Sequence, residues 1–169
     1  MMDYLTKIMY NEHEQIKEEF LFYKDVVSLV YNKNYVSEIE PMFKFFVKNI
    51  LPHFKIEELI FMTIENGATV KEQKIIKKIL YEHIDILKKL NNLKELAIKH
   101  NLSDIKDNNI FKKEFEKLVK IILAHAKKED EKLFPIYKKY INRPMIEKIL
   151  ASKHLEPYIK KDLKEEMLE

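Results

Sequence analysis

Four long stretches of this chain repeat apolar residues at spacings of three and four, which is the period of an amphipathic helix. The clearest repeat runs through Ile76, Ile79, Leu80, Leu87 and Leu90. One glycine and five prolines in 169 residues are too few for a protein built from turns and short strands,. The pattern therefore predicts an all-α chain, and long helices joined by short connections favour antiparallel packing in a bundle.

Capping patterns predict where the helices begin and end. We expect helices at about Asp3–Tyr31, Ser37–Asn66, Thr69–His100 and Ile110–Tyr140. Ser37 with Glu40 and Thr69 with Glu72 have capping-box spacing, Gly67 marks a helix end, and residues 101–109 read as a polar loop,. Pro135 is expected to bend or end the fourth helix, and Asn142 with Pro144 suits the start of another,. The prediction is an up-down-up-down antiparallel four-helix bundle over residues 1–141, with a C-terminal helical extension over residues 142–169.

Composition excludes several classes of site and partner. The chain has no cysteine, so a metal site must use His, Asp and Glu,. Its net charge is +3, and Arg143 is the only arginine, which argues against a nucleic-acid partner,. It has no apolar run of the ~18 residues that span a bilayer and no signal-peptide pattern at its start. We expect a cytoplasmic protein with neither nucleic acid nor membrane as partner.

Four of the six histidines lie on apolar helix faces. His83 has isoleucine or leucine at three, four and seven residues on both sides, and His13, His53 and His125 also have apolar residues at helical spacings. In an antiparallel pair of helices, two residues lie at the same level when they are equally far from the turn that joins the helices. The midpoints between consecutive histidines of these four fall at or near the predicted turns,. His100 and His154 fail this test. We therefore expect four imidazoles to meet at one level of the core.

Two of these histidines have a glutamate one helical turn later, in the pairs His53–Glu57 and His125–Glu129,. A lone core histidine is more often a hydrogen-bonded core residue, but four imidazoles with two carboxylates suit two divalent metals such as iron, zinc or manganese. Asp130 is a weaker rival to Glu129 as a ligand, and Glu58 and Glu131 are expected to be solvated. The predicted metal ligands are His13, His53, Glu57, His83, His125 and Glu129, and no catalytic residue is predicted.

Pro52 stands inside the second predicted helix, next to His53. A proline inside a helix removes one hydrogen bond and clashes with the preceding turn. Two interpretations remain open: the helix consists of two pieces, or a kink widens the bundle at the level of the metal.

The histidine pattern resembles the hemerythrin-like, or HHE cation-binding, family. The resemblance rests on His13, on HFKIE from His53 to Glu57, on Glu82–His83, and on HAKKE followed by DEKLFP, which ends at Pro135. It covers about residues 5–140. It implies a di-iron centre with an oxo or hydroxo bridge, with zinc or manganese as substitutes, in which Glu57 and Glu129 bridge the ions. His13 and His53 would serve one iron, and His83 and His125 the other.

The resemblance further implies a small-molecule ligand, O2, NO or peroxide, and a binding or sensing protein more than a dedicated enzyme. Oxygen-carrying hemerythrins have two histidines one turn apart on the third helix, whereas here Ile79 and Leu87 flank His83 at that spacing. One iron should therefore lack a nitrogen ligand, which points away from reversible O2 carriage. The alternatives are a metal-free helical adaptor and a ferritin-like iron-handling protein. The latter fold uses E-x-x-H pairs, which this chain lacks,. The sequence identifies no protein partner.

Overall fold

The computed structural model describes residues 4–29, 35–99 and 105–151. Its α-helices are α1 (Tyr4–Leu29), α2 (Tyr35–Phe45), α3 (Leu51–Ile64), α4 (Val70–Lys99), α5 (Ile105–Lys128), α6 (Phe134–Tyr140) and α7 (Arg143–Leu150). π-helical segments at Phe46–Ile50 and Glu129–Leu133 join α2 to α3 and α5 to α6. Over these residues the prediction of an all-helical chain is confirmed. The described helices include none that is long and apolar enough to cross a membrane.

The buried apolar side chains form two clusters. The Phe115 cluster takes its members from residues 16–27, 39–54, 86–93 and 111–122, and the Phe134 cluster takes its members from residues 9, 56–64, 76–79, 133–137 and 146–149. Along α1 and α4 the chain passes from the Phe134 cluster to the Phe115 cluster. Along α2–α3 and α5–α6 it passes the other way. Each long stretch thus contributes to both clusters, and α4 packs on α5 while α1 packs on both α2 and α5.

The connection between α3 and α4 has the predicted capping box. The Thr69 backbone N–H donates to Glu72 Oε2 at 2.9 Å, and the Glu72 backbone N–H donates to Thr69 Oγ1 at 3.3 Å. Gly67 follows the end of α3 as predicted, and its N–H donates to the Ile64 carbonyl at 2.9 Å. Asn142 caps α7, where its Oδ1 accepts the Met145 N–H at 3.1 Å. Local sequence therefore determines these boundaries.

Two predicted boundaries are wrong. Helix α2 already includes Tyr35, so Ser37 lies inside the helix and does not mark its start. Residues 105–109, predicted as a loop, form the first turns of α5, and Asn108 is buried there. A polar stretch can extend a helix when tertiary packing supports it, because intrinsic propensity is a weak preference. The predicted ends at Asp3, Tyr31 and His100, and most of the extension beyond residue 151, lie outside the described residues.

A π-helical segment precedes Pro52 and another precedes Pro135. The Leu51 N–H bonds the Phe46 carbonyl, and the Phe134 N–H bonds the Glu129 carbonyl, each five residues back where an α-helix would reach four,. Pro52 and Pro135 follow immediately, within the first turns of α3 and α6. Each proline thus comes directly after a wider turn, and the helical path stays continuous. Pro135 does not end its helix, which runs on to Tyr140.

Glu72 supports a prediction about acid stability. Its carboxylate accepts the Tyr140 hydroxyl at 2.6 Å and the Thr69 hydroxyl at 2.7 Å, and these hydrogen bonds lower its pKa from 4.5 to about 2. A lowered pKa stabilises the fold above the unfolded-state pKa, and this contribution is lost as the pH falls from about 4.5 to about 2,. We expect Glu72→Gln to lower the free energy of unfolding at pH 7, by an amount that shrinks towards pH 2.

Urea unfolding of both proteins at pH 7, 4 and 3 measures this difference. Glu131→Gln is the matched control, because the exposed Glu131 carboxylate lies 3.7 Å from Lys127 on the surface. A constant difference between wild type and Glu72→Gln across this range would contradict the assignment.

Candidate metal centre

Six polar side chains lie buried between the Phe115 and Phe134 clusters. They are those of His13, His53, Glu57, His83, His125 and Glu129, and their exposure ranges from 0% to 4%. Each long helical stretch contributes at least one of them. The prediction that four imidazoles and two carboxylates face the core is confirmed in position, while their role as metal ligands stays a prediction.

The six side chains form two overlapping groups. One contains His13, His53, Glu57 and Glu129, and the other contains Glu57, His83, His125 and Glu129. Within each group every residue offers a ligand atom within 4.8 Å of the others. Each group therefore has two imidazoles of its own and shares both carboxylates with its neighbour.

The two shared carboxylates face imidazoles from both groups. Glu129 Oε2 lies 3.2 Å from His13 Nε2, and Glu129 Oε1 lies 2.7 Å from His125 Nε2. Glu57 Oε1 lies 3.6 Å from His53 Nε2, and Glu57 Oε2 lies 3.1 Å from His83 Nε2. Each glutamate thus directs one oxygen towards each group, which is the arrangement that a bridging carboxylate requires.

Several buried nitrogen and oxygen atoms at the centre lack a suitable hydrogen-bond partner, and a bound cation would satisfy them. Among the described residues, both Glu57 oxygens are buried and have no hydrogen-bond partner. His13 Nε2 and His53 Nε2 face each other at 2.8 Å, although the Nδ1 of each ring already contacts a carboxylate. Two neutral rings in this state direct lone pairs at each other, so a proton or a cation is needed between them. Nitrogen and carboxylate donors of this kind suit iron, zinc and manganese.

Three further carboxylates accept hydrogen bonds from the Nδ1 atoms of three of the imidazoles. Asp130 Oδ1 accepts from His13 Nδ1 at 2.9 Å, Glu12 Oε2 accepts from His53 Nδ1 at 2.7 Å, and Glu82 Oε2 accepts from His125 Nδ1 at 3.1 Å. Such contacts fix the orientation of a ligating histidine and leave Nε2 free to bind a metal.

Burial and neighbouring charges shift the pKa values of the two buried glutamates in opposite directions. Burial raises the pKa of Glu57 well above its usual range, and the negative charge of Glu129 adds to the shift. Burial also opposes ionisation of Glu129, but hydrogen bonds from His125, His13 and His83 outweigh it and hold its pKa well below the usual range. Burial alone would lower the pKa of His13, but hydrogen bonds with Asp130 and Glu129 raise it to about 9. These two carboxylates therefore favour the protonated form of His13 in the metal-free protein.

Comparison with protein families agrees with this geometry. The profile of the hemerythrin HHE cation-binding domain matches residues 4–137. The chain belongs to the hemerythrin family. Comparisons with curated proteins and with solved structures give no match.

In this hemerythrin-family chain, α4 contributes a single residue to the two potential metal groups within the described part of the chain. That residue is His83, which belongs to the group that also contains Glu57, His125 and Glu129. Ile79, one turn before it, is buried in the Phe134 cluster, and Leu87, one turn after it, packs against the Phe115 cluster. The positions one turn before and one turn after His83 therefore both carry apolar side chains of the core.

The roles of Glu12, Glu82 and Asp130 as partners of the imidazoles were not predicted from the sequence. Glu12 and Glu82 each directly precede a predicted ligand, but each contacts the histidine of a different helix, His53 and His125. Asp130 contacts His13 Nδ1 and belongs to neither of the two potential metal groups. The recurrence of Glu-His on α1 and α4 was an available signal.

Aromatic side chains close the centre. The Phe54 ring stacks on His83 with centroids 3.8 Å apart, and Phe134 stacks on His13 at 5.1 Å. The Tyr137 hydroxyl donates to the Glu57 carbonyl at 2.9 Å. Glu58 is partly exposed and Glu131 is exposed, and they pair with Lys55 and Lys127. His100 and His154 lie outside the described residues.

Glu57 supports a prediction about the metal-free protein. Its raised pKa means that folding favours the protonated carboxyl, so the ionised form destabilises the fold above pH 4.5,. Glutamine has the same shape without the charge. At pH 7 we expect the free energy of unfolding of metal-free Glu57→Gln to exceed that of wild type. The expected difference is on the order of 1–3 kcal/mol.

Urea unfolding in the presence of a chelator measures this gain, which should disappear as the pH approaches 4. Glu58→Gln, at the neighbouring, partly exposed position, should stay within about 0.5 kcal/mol of wild type. Destabilisation by Glu57→Gln in the metal-free state would show that Glu57 is stabilised without a cation.

Proposed function

We propose that this chain is a non-haem dinuclear iron protein of the hemerythrin type, whose centre binds or senses O2, NO or peroxide. The observation that carries the proposal is the pair of overlapping four-residue groups that share Glu57 and Glu129. In this proposal His13 and His53 ligate one ion, His83 and His125 ligate the other, and the two glutamates bridge. Zinc and manganese are substitutes that the same donors accept.

The proposed frame is the predicted up-down-up-down four-helix bundle over residues 1–141. It is supported by the alternating direction in which successive helical stretches pass between the two apolar clusters. The C-terminal extension over residues 142–169 would pack on this bundle, and the contact of α7 with α3 supports that placement. A cytoplasmic location stays a prediction.

The bound ions would supply a change of redox state and an open coordination position. The protein supplies the rest. Glu12, Glu82 and Asp130 hold three imidazoles with Nε2 inward, and Phe54 and Phe134 cover ring faces that would otherwise admit water. With four nitrogen ligands for two ions, the centre would keep more open positions than that of an oxygen carrier. This favours sensing or reaction with a small molecule over reversible carriage.

A metal-free helical adaptor is a poorer fit to the same residues. It would bury Glu57, with both oxygens lacking hydrogen-bond partners among the described residues, together with a second carboxylate. Burying a polar group without a partner costs roughly 1–3 kcal/mol, and more for a charged group. A cation bound by both glutamates would remove this penalty.

Iron analysis tests the proposal. Protein loaded with ferrous iron without oxygen and then desalted should retain about two irons per chain, the number that two four-residue groups provide. Exposure to air should produce a near-ultraviolet absorption band. Glu57→Ala and His83→Ala should each abolish the band, because each removes a predicted ligand.

Glu58→Ala is the control, since its side chain lies on the surface beside Lys55. It should retain both irons and the band. A wild-type protein that binds no iron, or a band that survives in Glu57→Ala, would overturn the proposal.

A further inference from the structure

The two proposed metal positions have different surroundings, although each has two imidazoles and the same two bridging glutamates. At the His13–His53 position both imidazoles donate from Nδ1 to a carboxylate, at 2.9 Å to Asp130 and at 2.7 Å to Glu12. Within the described part of the chain, neither carboxylate has a lysine or arginine within ion-pair distance. No lysine or arginine among the described residues therefore competes with the imidazoles for these two charges.

The His83–His125 position receives much less support. His125 Nδ1 donates to Glu82, but Lys128 Nζ donates to both oxygens of that carboxylate, at 2.8 and 2.9 Å. His83 Nδ1 is buried and has no hydrogen-bond partner among the described residues, and its ring stacks on Phe54. This position thus has one supporting carboxylate, which a lysine neutralises.

The physical consequence follows from the basicity of the ligand. A carboxylate that accepts the Nδ1–H of an imidazole increases electron density at Nε2 and strengthens its bond to a cation. A lysine that pairs with the same carboxylate withdraws part of that effect. The bridging glutamates contribute to both positions and do not distinguish them.

We propose that the two positions are inequivalent, and that Glu12 and Asp130 make the His13–His53 position the tighter site for a divalent cation. Glu12 and Asp130 are positioning residues in this scheme, because they act through the imidazoles and not on the cation itself. The inference rests on the proposed function, since it requires that both groups bind a cation.

Glu12 and Glu82 offer a matched pair for the test. Both are glutamates that directly precede a histidine and hold the Nδ1 of another, and their exposures are 26% and 25%. Their replacement by glutamine leaves a neutral acceptor of the same size in each place. Each substitution keeps an acceptor for the imidazole, and Glu82→Gln also removes the ion pair with Lys128. Their effects on cation binding should differ.

The experiment is calorimetric titration of the full, metal-free chain with Zn²⁺, repeated with Co²⁺ while its visible absorption is followed. In wild type we expect two binding steps. Glu12→Gln should weaken the first step about tenfold or more, the range found when such outer partners are removed. Glu82→Gln should leave the first step unchanged and weaken only the second. Repulsion between two cations cannot produce this difference between variants.

Asp130→Asn is an independent variant that should act like Glu12→Gln, because Asp130 supports the other imidazole of the same position. Circular dichroism verifies that each variant folds. Equal effects of Glu12→Gln and Glu82→Gln on the first step, or no effect of Glu12→Gln and Asp130→Asn on it, would overturn the inference and leave the proposed function standing. A wild-type chain that takes up no cation would overturn both.

Discussion

The burial of two carboxylates among four imidazoles, in the middle of an apolar core, is the constraint on which this structure depends. The six side chains separate the Phe115 cluster from the Phe134 cluster. Charged groups at that depth destabilise a fold unless protons, hydrogen bonds or cations compensate them. In the metal-free protein the compensation is divided unequally, because Glu129 receives contacts from three imidazoles and Glu57 stays without a hydrogen bond among the described residues.

The carboxylates that accept from the imidazole Nδ1 atoms also connect neighbouring helices. Glu12 on α1 holds His53 on α3, and Glu82 on α4 holds His125 on α5. Each glutamate thus contacts a histidine of a neighbouring helix and not the histidine that follows it in the sequence. The same contacts that orient the imidazoles therefore fix the relative rotation of the helices.

The π-helical segments connect backbone geometry to the centre. The segment Glu129–Leu133 begins at one of the two glutamates that both potential metal groups share, and Asp130, its second residue, contacts His13. In α3 the helix after His53 is regular, and Glu58, at the spacing that corresponds to Asp130, lies on the surface beside Lys55. Asp130 thus lies in a π turn and Glu58 in a regular helix, and Asp130 is the one of these two acids that contacts a buried imidazole. This contact is one of the differences between the two proposed metal positions.

The sequence by itself determined the helices, the inward faces of His13, His53, His83 and His125, and the glutamates one turn after two of them. These features follow from a local period of 3.6 residues, so they can be read without tertiary information. Only the tertiary structure decided which carboxylate meets which imidazole, and that residues 105–109 extend a helix. Contacts between helices depend on their relative rotation and on inserted residues at π turns, and neither leaves a period in the sequence.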